Sequence, residues 1–157
     1  MRTETLALLL VAACHGEADP CAPCASRRCE PGLAIGDGTD GYAPIADGGE
    51  VVLVHGPQGG FHVEVGLLAT HLDVSTLVTG HLAATVDGEE LARVDPWLDF
   101  QCGADGLEAV GARLVYAGTP ETLVGRRTRI TARVVDLAGT VVEAEGTYGI
   151  VDGPAAQ

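Results

Sequence analysis

The segment VTGHLAATVDGEELARVD, residues 78–95, decides the fold class of this 157-residue chain. From Val78 to Val86 apolar residues alternate with polar or small ones, which is the period of a strand with one buried face. Asp87-Gly88 then supplies the residues of a tight turn, and the chain returns as a second strand to Asp95. The pattern predicts an antiparallel β-hairpin.

The same period of two continues from Glu50 to the end of the chain, with turn signals between the alternating segments. No stretch shows a long 3.6-residue repeat, so the crossover helices of a parallel α/β sheet are not expected. We therefore predict an all-β fold, an antiparallel β-sandwich of about seven strands. The predicted strands are 50–55, 61–69, 77–86, 90–95, 109–117, 128–136 and 140–151.

Residues that share a face within these strands predict a core between two sheets. The residues expected to be buried are Leu82, Val110, Leu114, Ile130, Val134 and Val142. The strand pattern resembles that of immunoglobulin-like and fibronectin-like domains, which often carry a closing hairpin like residues 132–139. The Cys-Trp-Cys set of antibody domains is absent, because Cys102 is the one cysteine of the strand region. The resemblance therefore implies an architecture and no activity.

A glycine-rich loop at 56–60 separates two of the predicted strands, and a proline within it pre-sets a turn. The segment Gly56-Pro57-Gln58-Gly59-Gly60-Phe61-His62 resembles a recurring pattern in uncharacterised exported proteins of high-GC bacteria, together with Gly36-Asp37-Gly38 and Asp47-Gly48 upstream. The resemblance covers about residues 33–70 and implies kinship without a known activity.

Near the start, Val11-Ala12-Ala13-Cys14 closes an apolar run, residues 5–13, that follows Arg2. The run is too short to span a bilayer, which needs ~20 apolar residues, but it matches the apolar region of a secretory signal. The competing interpretation is an ordinary buried helix or strand. The tetrapeptide resembles the lipobox of bacterial lipoproteins, which implies that Cys14 is acylated and begins the mature chain. It further implies a lipid-anchored protein of the cell envelope, outside the cytoplasm and expected at the bacterial outer membrane.

These features predict four parts: a signal peptide at 1–13, a Cys/Pro/Gly-rich linker at 14–49, a sandwich domain at 50–152 and a tail at 153–157. Within the linker, Asp37-Gly38-Thr39-Asp40-Gly41 is similar to a calcium loop. It lacks acidic residues at alternating positions and the glutamate that ends such a loop, so we expect a turn-rich stretch.

Five cysteines occur in the chain, and subtracting Cys14 leaves Cys21, Cys24, Cys29 and Cys102. An even number in an exported protein predicts two disulfides. Cys29 is the member of the cluster nearest the domain in sequence, so we predict a Cys29–Cys102 bond and a Cys21–Cys24 bond. A zinc site is the alternative, because Cys21 and Cys24 have ligand spacing.

The formal net charge of −13 and the absence of lysine argue against nucleic acid and against anionic lipid as partners of the protein surface. Neither serine, Ser26 nor Ser75, lies in a Gly-x-Ser-x-Gly motif, and the glycine loop leads into a strand rather than a phosphate-binding helix. We expect no enzyme and no cofactor.

Two functions follow from these observations. The first is a lipid-anchored surface domain with a non-catalytic binding or structural role, in contact with envelope proteins or glycans. The alternative is an exported copper or zinc protein that uses His55, His62 and His81, with Glu64 as a neighbouring carboxylate. The two differ in whether these histidines converge.

Overall fold

The computed structural model describes residues 19–23 and 29–155. Over these residues the chain is almost entirely β-structure, with one four-residue helix, α1 (Pro120–Leu123), and eleven strands. The strands are β1 (Gly32–Asp37), β2 (Ala43–Pro44), β3 (Glu50–His55), β4 (Phe61–Thr70), β5 (Val78–Val86), β6 (Glu89–Val94), β7 (Trp97–Leu98), β8 (Gln101–Cys102), β9 (Leu107–Tyr116), β10 (Arg127–Val135) and β11 (Val141–Ala155). The all-β prediction is confirmed, and β3, β4, β5, β6, β9, β10 and β11 correspond to the seven strands expected from the sequence.

The strands form a mixed sheet in the order β2-β1-β4-β3-β11-β10-β5-β6, with β9 added to β4, β8 to β9 and β7 to β5. Neighbours pair antiparallel except β3 and β11, which run parallel from the pair Glu50↔Gly149. The expectation of a purely antiparallel sandwich is therefore wrong at this pair. β11 has 15 residues and its hairpin partner β10 has 9, so β11 continues past β10, and this extension pairs with β3.

The sheet folds into a sandwich-like arrangement around one hydrophobic core. Strands that are not paired meet across this core, where the Tyr116 hydroxyl of β9 lies 2.9 Å from Oγ1 of Thr128 in β10. Burial of apolar side chains is the main stabilising contribution to such a fold. Five of the six predicted core residues are buried, namely Leu82, Leu114, Ile130, Val134 and Val142.

Val110 is the exception, since half of its side chain is exposed (50%). The pairing of β9 with β4 slips between Val65↔Ala112 and Leu67↔Ala109, so Val110 and Gly111 together lie opposite one residue. Gly111 has φ of +81°, as expected of a glycine bulge. The extra residue reverses the alternation, so the prediction that Val110 is buried is wrong.

The linker predicted at 14–49 contains two strands, β1 and β2, and that part of the prediction is wrong. β1 pairs along its whole length with β4, from Gly32↔Thr70 to Asp37↔Val65, and buries Ile35 in the core. The backbones of β1 and β4 approach closely at Gly66. A side chain at this position would collide with the carbonyl of Asp37, which explains why the residue is glycine. The predicted tail at 153–157 likewise begins inside β11.

The predicted signal peptide at 1–13, Cys14 and Cys24 lie outside the described residues. In the part of the chain that is described, no helix combines the length and the apolar character needed to cross a bilayer.

Candidate functional site

A disulfide between Cys21 and Cys102 ties the N-terminal segment to one end of the sandwich. The two Cα atoms are 5.7 Å apart across a sequence separation of 81 residues. The bond confirms that Cys102 is linked to the cysteine cluster, but the predicted partner, Cys29, is wrong. The predicted Cys21–Cys24 bond is wrong as well, because Cys21 is bonded to Cys102. Cys29 is itself disulfide-bonded. Because Cys21 and Cys102 are bonded to each other, they are not the thiolate ligands that the zinc alternative requires.

Backbone contacts explain why Cys21 rather than Cys29 reaches Cys102. The amide of His71, just after β4, donates to the carbonyl of Pro20 at 2.9 Å, and His71 Nδ1 lies 3.2 Å from the carbonyl oxygen of Ala22. The side chain of Cys21 also packs against the core. These contacts place Cys21 beside β8. They join residues that are far apart in the chain, so the nearness of Cys29 to the domain in sequence does not reveal them.

The same end of the molecule carries a buried carboxylate, Asp136 (7% exposed). Its Oδ1 accepts from the Thr140 amide at 2.7 Å within the β10–β11 turn, and its Oδ2 accepts from the Asp73 amide at 3.0 Å. The Leu137 amide donates back to the Asp73 carbonyl at 2.9 Å. We call this end, made of residues 19–23, 71–77, 99–106 and 136–140, the tethered end.

The opposite end, which we call the open end, carries the glycine-rich loop predicted at 56–60. Its Gly56 amide donates to the Gly60 carbonyl at 2.7 Å, and Gly59 has φ of +85°. The ring of His55 meets the ring of Phe61 edge-on, with centroids 5.1 Å apart. The loop is thus a short, internally bonded connection between β3 and β4, as the sequence indicated.

Each of the three candidate metal ligands pairs with a different carboxylate. His55 Nε2 is 2.7 Å from Asp152, His62 Nε2 is 3.1 Å from Glu64, and His81 Nδ1 is 2.8 Å from Asp95. Glu64 Oε1 also accepts from Arg113 Nε at 2.9 Å. Among the described residues, no group of three or more His, Cys, Asp or Glu side chains is placed to hold a metal ion. The histidines serve as partners of separate carboxylates.

His81 lies instead in a broad open groove of about 510 Å³ on the outer face of β6, β5, β10 and β11. Ala83 and Thr131 are register partners in its middle, and charged side chains surround them. The charged lining residues are His81, Arg93, Asp95, Arg133, Glu143 and Glu145. We call this surface the outer groove.

The charges of the outer groove are largely paired within the protein. Arg133 Nε is 3.4 Å from Glu143 Oε1, and Arg129 forms an ion pair with Glu145. Arg93 donates two hydrogen bonds to Glu90, and this bonding lowers the pKa of the Glu90 carboxyl. The lining therefore offers hydrogen-bond donors and acceptors on side chains of both charges. Such a surface suits a polar ligand better than a strongly charged one.

The alternation from Val78 to Val86 puts His81 among the polar or small residues of its strand, but the sequence gives no indication of the outer groove. The groove is built from strands that are far apart in the chain, and only the pairing of β5 with β10 brings them together. No protein-family model matches the chain, and the search of curated proteins finds no match.

Proposed function

We propose that this protein is an exported, lipid-anchored β-sandwich of the cell envelope with a non-catalytic binding or structural role. The observation that carries the proposal is the Cys21–Cys102 disulfide, because such bonds form and persist in oxidising compartments outside the cytoplasm. Exported chains with a lipobox-like Cys14 are attached to a membrane through that cysteine, so the two features support one location.

The anchor and the disulfide would act together. Seven peptide steps separate Cys14 from Cys21, so an extended chain of this length reaches at most about 25 Å. Because Cys21 is bonded to Cys102, the lipid would hold the folded domain directly rather than through a long linker. A domain held this way has a defined side toward the membrane, which suits a structural or contact role.

The outer groove is the surface we assign to contact with a partner, for which envelope proteins and glycans are the candidates. It is open, and its lining combines apolar residues such as Leu82 and Ala144 with charged side chains, of which Arg133 and Glu143 form an ion pair. Small side chains at Ala83 and Thr131 leave room above the sheet.

The test of the anchor is fractionation of cells that produce the full chain with a Cys14→Ser substitution. We expect the unchanged protein to be recovered with membranes and to incorporate a fatty-acid label, and the Cys14→Ser protein to lose both properties. Ser75→Ala, an exposed change in the domain, is the matched control and should behave like the unchanged protein. A Cys14→Ser protein that still carries the label and stays with the membrane would contradict the proposal.

A further inference from the structure

Four large apolar side chains at and beside the tethered end are exposed on the outer surface. Leu77 is 52% exposed, Trp97 72%, Leu137 49% and Val141 47%. We call these four residues the apolar patch. Single exposed apolar residues need no explanation, but a group that includes a largely exposed tryptophan marks an interaction surface.

Register and strand alternation place three of the patch residues, Leu77, Trp97 and Val141, on one outward face, and Leu137 lies in the adjoining β10–β11 turn. Val78 and Gly80 of β5 are buried, so the neighbouring Leu77 and Thr79 point outward, and Trp97 of β7 is the register partner of Thr79. On the adjoining β10–β11 hairpin, Val141 is the register partner of Val135. Each lies next to a buried residue, Val142 or Val134, so Val141 and Val135 point outward.

Contacts connect the patch to the point where the chain leaves the domain. The Leu137 amide bonds to the Asp73 carbonyl, close to the His71–Pro20 hydrogen bond that holds the N-terminal segment. Trp97 is five residues from Cys102, a separation of at most about 18 Å. The patch and the disulfide therefore belong to the same region of the molecule.

We propose that the apolar patch docks against the surface of the bilayer that holds the lipid anchor. The inference rests on the anchor proposed above, which leaves only residues 14–18 between the lipid and the described segment that begins at Asp19. So short a connection keeps the tethered end close to the headgroups. Tryptophan prefers this interface, because its ring is apolar and its N–H remains in contact with polar groups.

Charge indicates which lipids the patch accepts. The carboxylates around it and across the tethered end belong to Asp19, Asp73, Asp95, Asp99, Asp105 and the buried Asp136, and no residue of 19–23, 71–77, 99–106 or 136–140 is a lysine or arginine. Anionic headgroups would be repelled by these carboxylates. The docking surface is therefore suited to zwitterionic headgroups, and binding is driven by the apolar side chains.

Trp97 is the only tryptophan of the chain, so its fluorescence reports on the patch directly. The native lipidated protein is reconstituted into phosphatidylcholine vesicles and recovered by flotation. The reference is the same protein in detergent-free solution, released from the lipid by cleavage of its N-terminal segment. On vesicles we expect emission at shorter wavelength and acrylamide quenching reduced by about half or more, as for a tryptophan at the interface. Added phosphatidylglycerol should weaken both changes.

A double variant, Leu77→Ser with Leu137→Ser, removes apolar contact and leaves Trp97 in place. It should still float, because the lipid is intact, but its Trp97 should be quenched as in solution. Val115→Ser is the matched control, since Val115 is 58% exposed on β9 and outside the patch; this variant should keep the blue-shifted emission.

The outcomes separate the two proposals. Native protein that does not float contradicts the anchor, and the docking inference falls with it. Native protein that floats while Trp97 stays as accessible as in solution contradicts docking alone. Shielding of Trp97 in native membranes but not in pure lipid vesicles would also overturn the inference, because a protein partner would then cover the patch.

Discussion

The tethered end and the open end of the sandwich are held by different kinds of contact. The tethered end has a disulfide, a buried carboxylate that accepts two backbone amides, and hydrogen bonds from loop 71–77 to two other segments. The open end has a glycine-rich loop, an exposed His55–Asp152 pair and one buried side-chain hydrogen bond nearby, between Tyr116 and Thr128. A disulfide or a buried polar contact raises the free energy of unfolding by kilocalories per mole, whereas an exposed ion pair contributes little to it.

The tethered end is the more restrained of the two. It is bonded to the N-terminal segment on which we propose the lipid anchor, so the orientation of the domain would be determined there. Within the described residues the open end has no disulfide, and segment 117–126 is held there by backbone hydrogen bonds, from the Ala117 amide to the Leu91 carbonyl and between Gly125, Arg126 and Ile150.

Removal of the disulfide should have the largest effect. Replacing Cys21 and Cys102 together by Ala releases a loop of about 80 residues, and the chain-entropy model gives a loss of about 4.5 kcal/mol in the free energy of unfolding. Chemical denaturation measures the loss. Amide hydrogen exchange should accelerate in 69–73 and 101–107 more than in 54–62, and equal acceleration at both ends would contradict the contrast.

Truncation in the core that both ends share should cost slightly less. Leu114→Ala removes a fully buried side chain and is expected to lower the unfolding free energy by about 3 kcal/mol. Val110→Ala on the same strand is the matched control and should change it by less than about 0.5 kcal/mol, because the bulge turns Val110 outward. Similar costs at the two positions would show that the bulge is misplaced.

The next largest effect on the unfolding free energy is expected when the carboxylates of the two ends, Asp136 and Asp152, are compared. Asp136→Ala leaves the Thr140 and Asp73 amides without their acceptor and should cost about 2 kcal/mol. Asp136→Asn retains one oxygen acceptor and should cost less. Asp152→Ala, at the open end, removes an exposed pair with His55 and should cost no more than about 1 kcal/mol. Denaturant midpoints compare the three variants, and the reverse order would refute the contrast.

Tyr116 gives the smallest effect and a pH signature. Burial raises the pKa of its phenol above the ordinary value, an effect that the hydrogen bond with Thr128 partly offsets. The folded state therefore favours the protonated phenol, so this stability is present below the unfolded pKa near 10 and is lost as pH rises through the folded pKa. Tyr116→Phe should cost about 1 kcal/mol at neutral pH and flatten the alkaline decline. An unchanged decline between pH 9 and about 11 would disprove the role of Tyr116.

Strict alternation explains how far the sequence predicted the fold. β5 and β10 keep an unbroken period of two, and their bounds and buried residues were predicted closely. In β9, Val110 was predicted to be buried but is exposed, because a bulge adds one residue to the strand. The sequence signal of this bulge is a single glycine, Gly111. The two-residue strands β2, β7 and β8 are too short to show a period at all.

Contacts between distant segments account for what the sequence did not predict. β1 is rich in glycine, like a linker, and becomes a strand because β4 offers an edge with a glycine opposite. The partner of Cys102 depends on the backbone contact between Pro20 and His71. The outer groove and the apolar patch combine residues from strands that only the sheet brings together.

Non-reducing peptide mapping of the protein purified from its own membrane examines the disulfide and the lipid anchor in one measurement. We expect a peptide pair joined through Cys21 and Cys102 that separates on reduction, together with an N-terminal peptide whose Cys14 carries the mass of a lipid. A Cys102 that alkylates without reductant, a Cys29–Cys102 pair, or an unmodified Cys14 in an intact N-terminal segment would contradict this expectation.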